Sequence, residues 1–366
     1  MNDTVEALRA RCLPPPPPPE ADPGTGSEAA TKIIDDLAAR RFDPSNPPPP
    51  VDPILTLREI PVGTPGNLVA MTGQAGSGKS HLLAAMMASA FTADPERDCL
   101  GWKLSNPDGR AVFYCVFEMS RQDNHAMLSG AMKRAGVETL PPWFYGFHLT
   151  GTDPDQARMI VDCAFRYGAA RFGGTRAVIL DGIADLAASP NDEEDCFSLI
   201  RQLHQWAIDA GALAVAVLHL NPGSEFKTRG HLGSQLERKA ETVLTTARDG
   251  DVFTVYATKA RHKPISKVQG QRFSWDDGAG RFTSQNTLAE ARMSAATETR
   301  RKLAQAIFAG QGRFLRHGIA VGRICELNVC SPDAAKKHLA KLRTDGLVEV
   351  NPATGAYCLP GEGLLL

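Results

Sequence analysis

The sequence predicts an α/β fold with a mainly parallel central sheet covered by helices on both faces. A Pro-rich segment precedes it and a small basic module follows. Three observations carry this expectation. Short, continuously apolar runs alternate with helical stretches through the middle of the chain. The first of these runs opens directly into "GQAGSGKS", residues 73–80. The stretches on either side differ sharply in composition, one rich in proline and the other in lysine and arginine.

The chain has 366 residues, enough for one large core and a satellite. Its net charge of −1 excludes a wholesale polycation, so any nucleic-acid surface must be local. Eight cysteines are scattered without a CxxC pair or Cys/His zinc spacing, which reads as reduced thiols. Cys115 lies in an apolar run and reads as a small core residue. Neither a spanning apolar stretch nor a signal-peptide pattern is found, so the expectation is a cytoplasmic protein without a membrane partner.

Residues 1–50 carry proline runs at Pro14–Pro19 and Pro47–Pro50, which favour extended polyproline II spacers. Between them "SEAATKIIDDLAARRF" predicts one amphipathic helix, capped by Ser27, with Ile33, Ile34, Leu37 and Ala38 as its stripe. Two roles are open for it: docking on a neighbouring subunit, or packing on its own domain.

The globular domain spans 51–288. "NLVAMTG" predicts a strand and "SHLLAAMMASAF" the helix after the loop. "RAVFYCVFE" predicts a second buried strand, "DQARMIVDCAFRYGAARF" a helix and "TRAVILD" a third strand. "FSLIRQLHQWAIDAG" is another helix and "ALAVAVLHL" a fourth strand. "ETVLTTARDGDVFTVYATKAR" predicts an antiparallel pair turning at Asp249-Gly250. Residues 296–360 predict three helices and a hairpin: "TETRRKLAQAIFAG", "AVGRICELN", "SPDAAKKHLAKLRTDG", then "LVEV" and "AYCL". The third helix has Ser331 as cap, Pro332 in its first turn and Gly346 as its stop. This is the layout of a winged helix-turn-helix.

The glycine-rich stretch fits Gly-x₄-Gly-Lys-Ser, the P-loop. Gly73, Gly76 and Gly78 are read as backbone positions that side chains forbid, letting the chain approach phosphate oxygens. The loop amides of Gln74, Ala75, Gly76, Ser77 and Gly78, continuing to His81, then form an anion nest at a helix N-terminus. Lys79 bridges the terminal phosphates of ATP, and Ser80 ligates Mg²⁺. Asp181 ends a buried strand at the Walker B position, where a carboxylate orients magnesium through water. No acid follows it directly, since Gly182 and Ile183 come next. Glu118, ending "VFYCVFE", is the candidate for polarising the attacking water.

Together these stretches resemble the RecA-like ATPases, and more narrowly the RepA-like hexameric helicases, relatives of the DnaB-type replicative helicases. The resemblance covers roughly residues 50–285 and includes "RGHLGSQLERKAETVL" and "ATKARHKP". It implies a RecA-like core, Glu118 as catalytic base, and His219 as the polar strand-end sensor of the γ-phosphate. It implies that Lys259 and Arg261 form a Lys-x-Arg finger reaching a neighbour's site, and residues two apart on a strand share a face. It also implies that "NPGSEFKTRGHLGSQ", with Lys227, Arg229 and His231, lines a ring channel that grips single-stranded DNA. Where a DnaB-type helicase has a large N-terminal domain, this sequence has about 50 proline-rich residues. That departure and the winged tail favour a plasmid, phage or other mobile-element replication protein.

Residues 297–346 hold ten basic and four acidic side chains, a local balance of +6. Lys336, Lys337 and Lys341 lie opposite the apolar face of Ala335, Leu339 and Leu342, a footprint for duplex DNA or a replication partner. The expectation is an ATP-hydrolysing ring, a hexamer, moving along DNA. The competing expectation is an ATP-dependent DNA-binding regulator or partition-type ATPase that does not unwind DNA.

Overall fold

The computed structural model describes residues 34–38, 40–220 and 230–360. The chain divides into two units, Met1–Pro50 and Val51–Leu366. In the first, residues 34–38 are helical, and Ile34 and Leu37 are 62% and 64% exposed. The Ser27 cap, Ile33 and the first proline run lie outside the described residues, while Pro47–Pro50 is exposed chain without regular structure.

The second unit is built on a nine-stranded sheet. Its parallel part holds β3 (Leu68–Gly73), β5 (Ala111–Val116), β6 (Phe144–His148), β7 (Thr175–Asp181), β8 (Leu213–His219) and β9 (Thr242–Asp249). An antiparallel meander of β10 (Val252–Ala260), β11 (Gln271–Asp276) and β12 (Arg281–Gln285) extends it, in the order β12-β11-β10-β9-β3-β8-β7-β5-β6. The expected mainly parallel sheet is therefore present. A separate three-stranded sheet joins β1 (Leu55–Leu57), β2 (Ile60–Gly63) and β4 (Trp102–Leu104).

The continuously apolar strands have a simple cause: both faces are covered. Val69 and Met71 of β3 feed one core with α1 (Lys79–Phe91) and α2 (Arg121–Ala135). Leu68 and Ala70 feed the other, with α3 (Pro154–Phe172), α4 (Glu193–Ala210) and α5 (Gly230–Lys239). Strand alternation thus sends neighbouring residues into different cores.

Six strands (β1, β2, β4, β6, β11 and β12) and the helices α2 and α5 escaped the reading from sequence. β6 is an edge strand, and two of its five residues are exposed, so no apolar run marks it. α2 is mostly polar and buries Asn124 and Arg134, so its periodicity is weak. Ser120 nevertheless caps it by accepting from the Asp123 N–H, and Gly136 ends it in the left-handed region. At the β9–β10 turn Asp249 still pairs with Val252, which leaves Gly250 and Asp251 as the two loop residues.

The C-terminal part holds α6 (Leu288–Phe308), α7 (His317–Asn328), α8 (Pro332–Thr344) and a ribbon of β13 (Glu349–Val350) with β14 (Tyr357–Cys358). It has its own small core, which includes Ile307, Phe308, Ile324, Leu339 and Leu342. A continuous helix, not a linker, crosses residues 288–296. Thr287 and Glu290 form its capping box, and Glu290 also pairs with Arg58. Ser331 caps α8 with Pro332 in its first turn.

Candidate nucleotide site

Each glycine of the loop serves a different purpose. Gly78 caps α1 at φ +89°, and a Cβ there would come within 3.0 Å of the Phe253 and Phe273 rings. Gly76 has φ +71° and open space around it. Gly73 has no left-handed backbone, which corrects the expectation for it. Its constraint is room: a Cβ would stand 2.0 Å from Thr246 Oγ1 and 2.5 Å from Ser77 Oγ, which are themselves hydrogen-bonded at 2.6 Å.

Beyond the loop opens a cavity of about 310 Å³, lined by Gly76 to His81, Glu118, Asp181 and His219, with Phe253 closing one side. The parallel strands end at this rim, so β3, β5, β7 and β8 deliver the P-loop, Glu118, Asp181 and His219 to one place. Gln74 and Ala75 face a second cavity, with Thr245, Arg248, Tyr256 and Lys267. His81 lies at the edge of the first, its ring 4.3 Å from that of Phe282.

Lys79 is 6% exposed and donates to the Gly73 carbonyl at 2.9 Å, the Gln74 carbonyl at 2.8 Å and His219 Nδ1 at 3.2 Å. Burial pushes its ammonium down to about 8, against the opposing pull of the Asp181 and Glu118 charges. His219 Nε2 lies 3.0 Å from Glu118 Oε2. A neutral imidazole with its proton on Nε2 satisfies both bonds, accepting from lysine and donating to glutamate. Lys79, His219 and Glu118 therefore form one continuous chain across the cavity.

Asp181 is 8% exposed, and burial raises its carboxyl while the Tyr114 hydroxyl, 3.0 Å from Oδ2, lowers it. Next to it Gly182 has φ +101°, and a Cβ there would meet Glu118 Cγ at 2.8 Å. Tyr114 and Gly182 are site residues that the reading from sequence missed. The signals were present: a lone hydroxyl in an otherwise apolar strand, and a glycine directly after the strand-end acid. Ser80 Oγ and the Asp181 carboxylate are hard oxygen donors and fit Mg²⁺. Among the described residues no cluster of three or more His, Cys, Asp or Glu could hold a metal by itself. Bound there, magnesium would neutralise developing charge on the transferred phosphoryl group.

The family profile described as "AAA domain" matches residues 34–225, more than half of the chain. The chain belongs to the AAA domain family. It is thereby a nucleotide-hydrolysing P-loop ATPase, and the matched stretch contains the P-loop, Glu118, Asp181 and His219. A comparison with curated proteins finds no match.

The remaining expected residues of this AAA domain protein fall outside the matched stretch. Lys259 does not project outward. Its ammonium donates to the carbonyls of Glu237 at 2.7 Å, Arg238 at 3.0 Å and Ala240 at 2.8 Å, and so caps the C-terminus of α5. The shared face expected for Lys259 and Arg261 is also corrected. Register slips between Ala257 and Lys259, and β10 ends at Ala260, so two-residue alternation does not reach Arg261. Arg261 is exposed, and among the described residues no hydrogen bond or ion pair engages its guanidinium. Its backbone N–H donates to the Glu241 carbonyl at 3.1 Å. The adjacent His262 lies 2.7 Å from the buried Glu241 carboxylate, which also accepts from Thr64.

Lys227 and Arg229 lie outside the described residues, and His231 is exposed in the first turn of α5. On α8 all three lysines are exposed. Lys336 pairs with Asp333 at 3.0 Å and Lys341 with Asp345 at 2.8 Å, so the basic face is partly matched by its own acids. No helix among the described residues is long and apolar enough to cross a membrane.

Proposed function

We propose that this ATPase assembles as a ring, a hexamer, in which each nucleotide site is completed by the next subunit, and that ATP hydrolysis drives movement along DNA. Lys79 and the loop amides hold the phosphates, Ser80 and Asp181 serve magnesium, Glu118 takes the water proton and His219 senses the γ-phosphate. One observation carries the reading. The cavity has its P-loop, acid and base, yet among the described residues no arginine lines it, Arg248 facing the adjoining cavity instead, while Arg261 is exposed and no hydrogen bond or ion pair among the described residues engages its guanidinium. A guanidinium delivered from a neighbour is worth about 10³ to 10⁵ in rate.

The test mixes two inactive variants. Arg261→Ala and Glu118→Gln should each bind nucleotide and each fail to turn over. Mixed in equal amounts they should recover roughly a quarter of wild-type turnover, since random assembly leaves that share of interfaces intact. No recovery would remove the shared site. Single-stranded DNA should stimulate wild-type turnover, and mass in solution should report the hexamer. The Pro-rich N-terminal stretch and the winged C-terminal layout, where they depart from DnaB-type helicases, favour a motor that serves replication of a plasmid, phage or other mobile element.

A second reading rests on the C-terminal part. Its three helices and two-stranded ribbon fit a winged helix, with α8 offering Lys336, Lys337 and Lys341 to duplex DNA or a replication partner. A non-unwinding regulator would bind duplex sequence-specifically and hydrolyse ATP slowly, without stimulation by single strands.

A further inference from the structure

We propose that Tyr114 is a positioning residue for the magnesium acid: its buried hydroxyl holds one carboxylate oxygen of Asp181 and leaves the other to the metal's water shell. This rests on the reading of Asp181 as the acid that serves magnesium.

The geometry starts from register. β5 and β7 run parallel, with Val116 opposite Asp181 and Tyr114 opposite Ile179. Tyr114 and Val116 are two apart on one strand and therefore share the face on which Asp181 lies. Tyr114 is thus the diagonal neighbour of Asp181, one step further into the sheet. A diagonal step is about 7–8 Å between backbones, too far for an aliphatic side chain to reach a carboxylate and within reach of a tyrosine hydroxyl. The hydroxyl lies 3.0 Å from Asp181 Oδ2.

The surroundings say what the hydroxyl is for. The Tyr114 side chain is fully buried in the core shared with α1 and α2. Packing alone is met there by phenylalanine, and a buried hydroxyl is costly unless it is bonded. Its only other partner among the described residues is the Met127 sulfur at 3.8 Å, a weak acceptor. The relation holds in the other direction too. Among the described residues, the one hydrogen bond that reaches the Asp181 carboxylate comes from Tyr114. Lys79 donates instead to carbonyls and to His219, and Glu118 meets His219. Without Tyr114, no hydrogen bond from a described residue would hold the Asp181 carboxylate. With it, Oδ2 is held by the hydroxyl, and Oδ1 would be the oxygen left to face the water shell of a bound magnesium. Outer partners of this kind fix the orientation of metal-serving groups.

The experiment measures nucleotide binding, not turnover, by titrating a fluorescent ATP analogue in EDTA and across a Mg²⁺ series. For Tyr114→Phe, affinity in EDTA should match wild type. The Mg²⁺ needed for half-maximal enhancement of binding should rise on the order of tenfold. In an Asp181→Asn background, adding Tyr114→Phe should change nothing further, because Tyr114 acts through Asp181. An unchanged Mg²⁺ requirement in Tyr114→Phe, or a further loss in the double variant, overturns the proposal. If Tyr114→Phe fails to fold, Tyr114→Met takes the same titration with the same expected outcomes. Should Asp181→Asn alone leave the Mg²⁺ dependence untouched, the assignment of the acid fails, and that result is distinct from a failure of Tyr114.

Discussion

Lys79 shows how one residue serves two states. Buried beside backbone carbonyls and His219, its ammonium is pushed down to about 8. The sign follows directly. Below that pH the lysine is charged and attracts phosphate, and above it the free protein carries a neutral amine. Nucleotide affinity should therefore be level below about pH 8 and weaken above it, by up to roughly tenfold per pH unit. Affinity that stays level from neutral pH to well above that point would contradict the burial argument. Gly182 makes a second prediction at this scale. Gly182→Ala demands φ +101° of an alanine and puts its Cβ 2.8 Å from Glu118 Cγ. Glu118, the proposed base, should be displaced, lowering kcat on the order of 10²-fold while nucleotide affinity holds. Steady-state turnover beside equilibrium binding separates the two effects. Both residues stand in recognisable places in the chain, yet only Lys79 announces its chemistry. A glycine after an acid reads as an ordinary turn until the neighbour that crowds it is known.

Among elements, α5 and β10 are joined by one side chain. Lys259 gathers three carbonyls at the end of α5, groups that no further helical turn can satisfy. Lys259→Met should leave them unpaired, costing about 2 kcal/mol and speeding amide exchange in the last turn of α5. Unchanged exchange there would return Lys259 to the role of an outward finger. The strands β3, β5, β7 and β8 were legible because burial on both faces forces an unbroken apolar run. The edge strand β6 and the polar helix α2 were not, because half-exposed elements carry mixed residues. The start of α6 was read late because its first turns lie against the larger domain and only its last turns reach the small core.

Across the whole molecule, the order of apolar runs already specified the architecture. An unbroken run must be buried on both faces, and parallel strands need helical crossovers. The spacing of Lys79, Ser80, Glu118 and Asp181 specified that these residues gather around one cavity, for a related reason. A strand that ends in a loop must end at the rim, so each motif's place in its own strand determines which edge it reaches. Tertiary structure alone decided the rest. It turned Lys259 inward and left Arg261 outside, because a slipped register and a strand end break the alternation that local sequence implies. It set Tyr114 against Asp181 and Gly182 against Glu118, contacts that join residues 67 and 64 positions apart. Such pairings depend on which strands become neighbours, and no single stretch of chain carries that information.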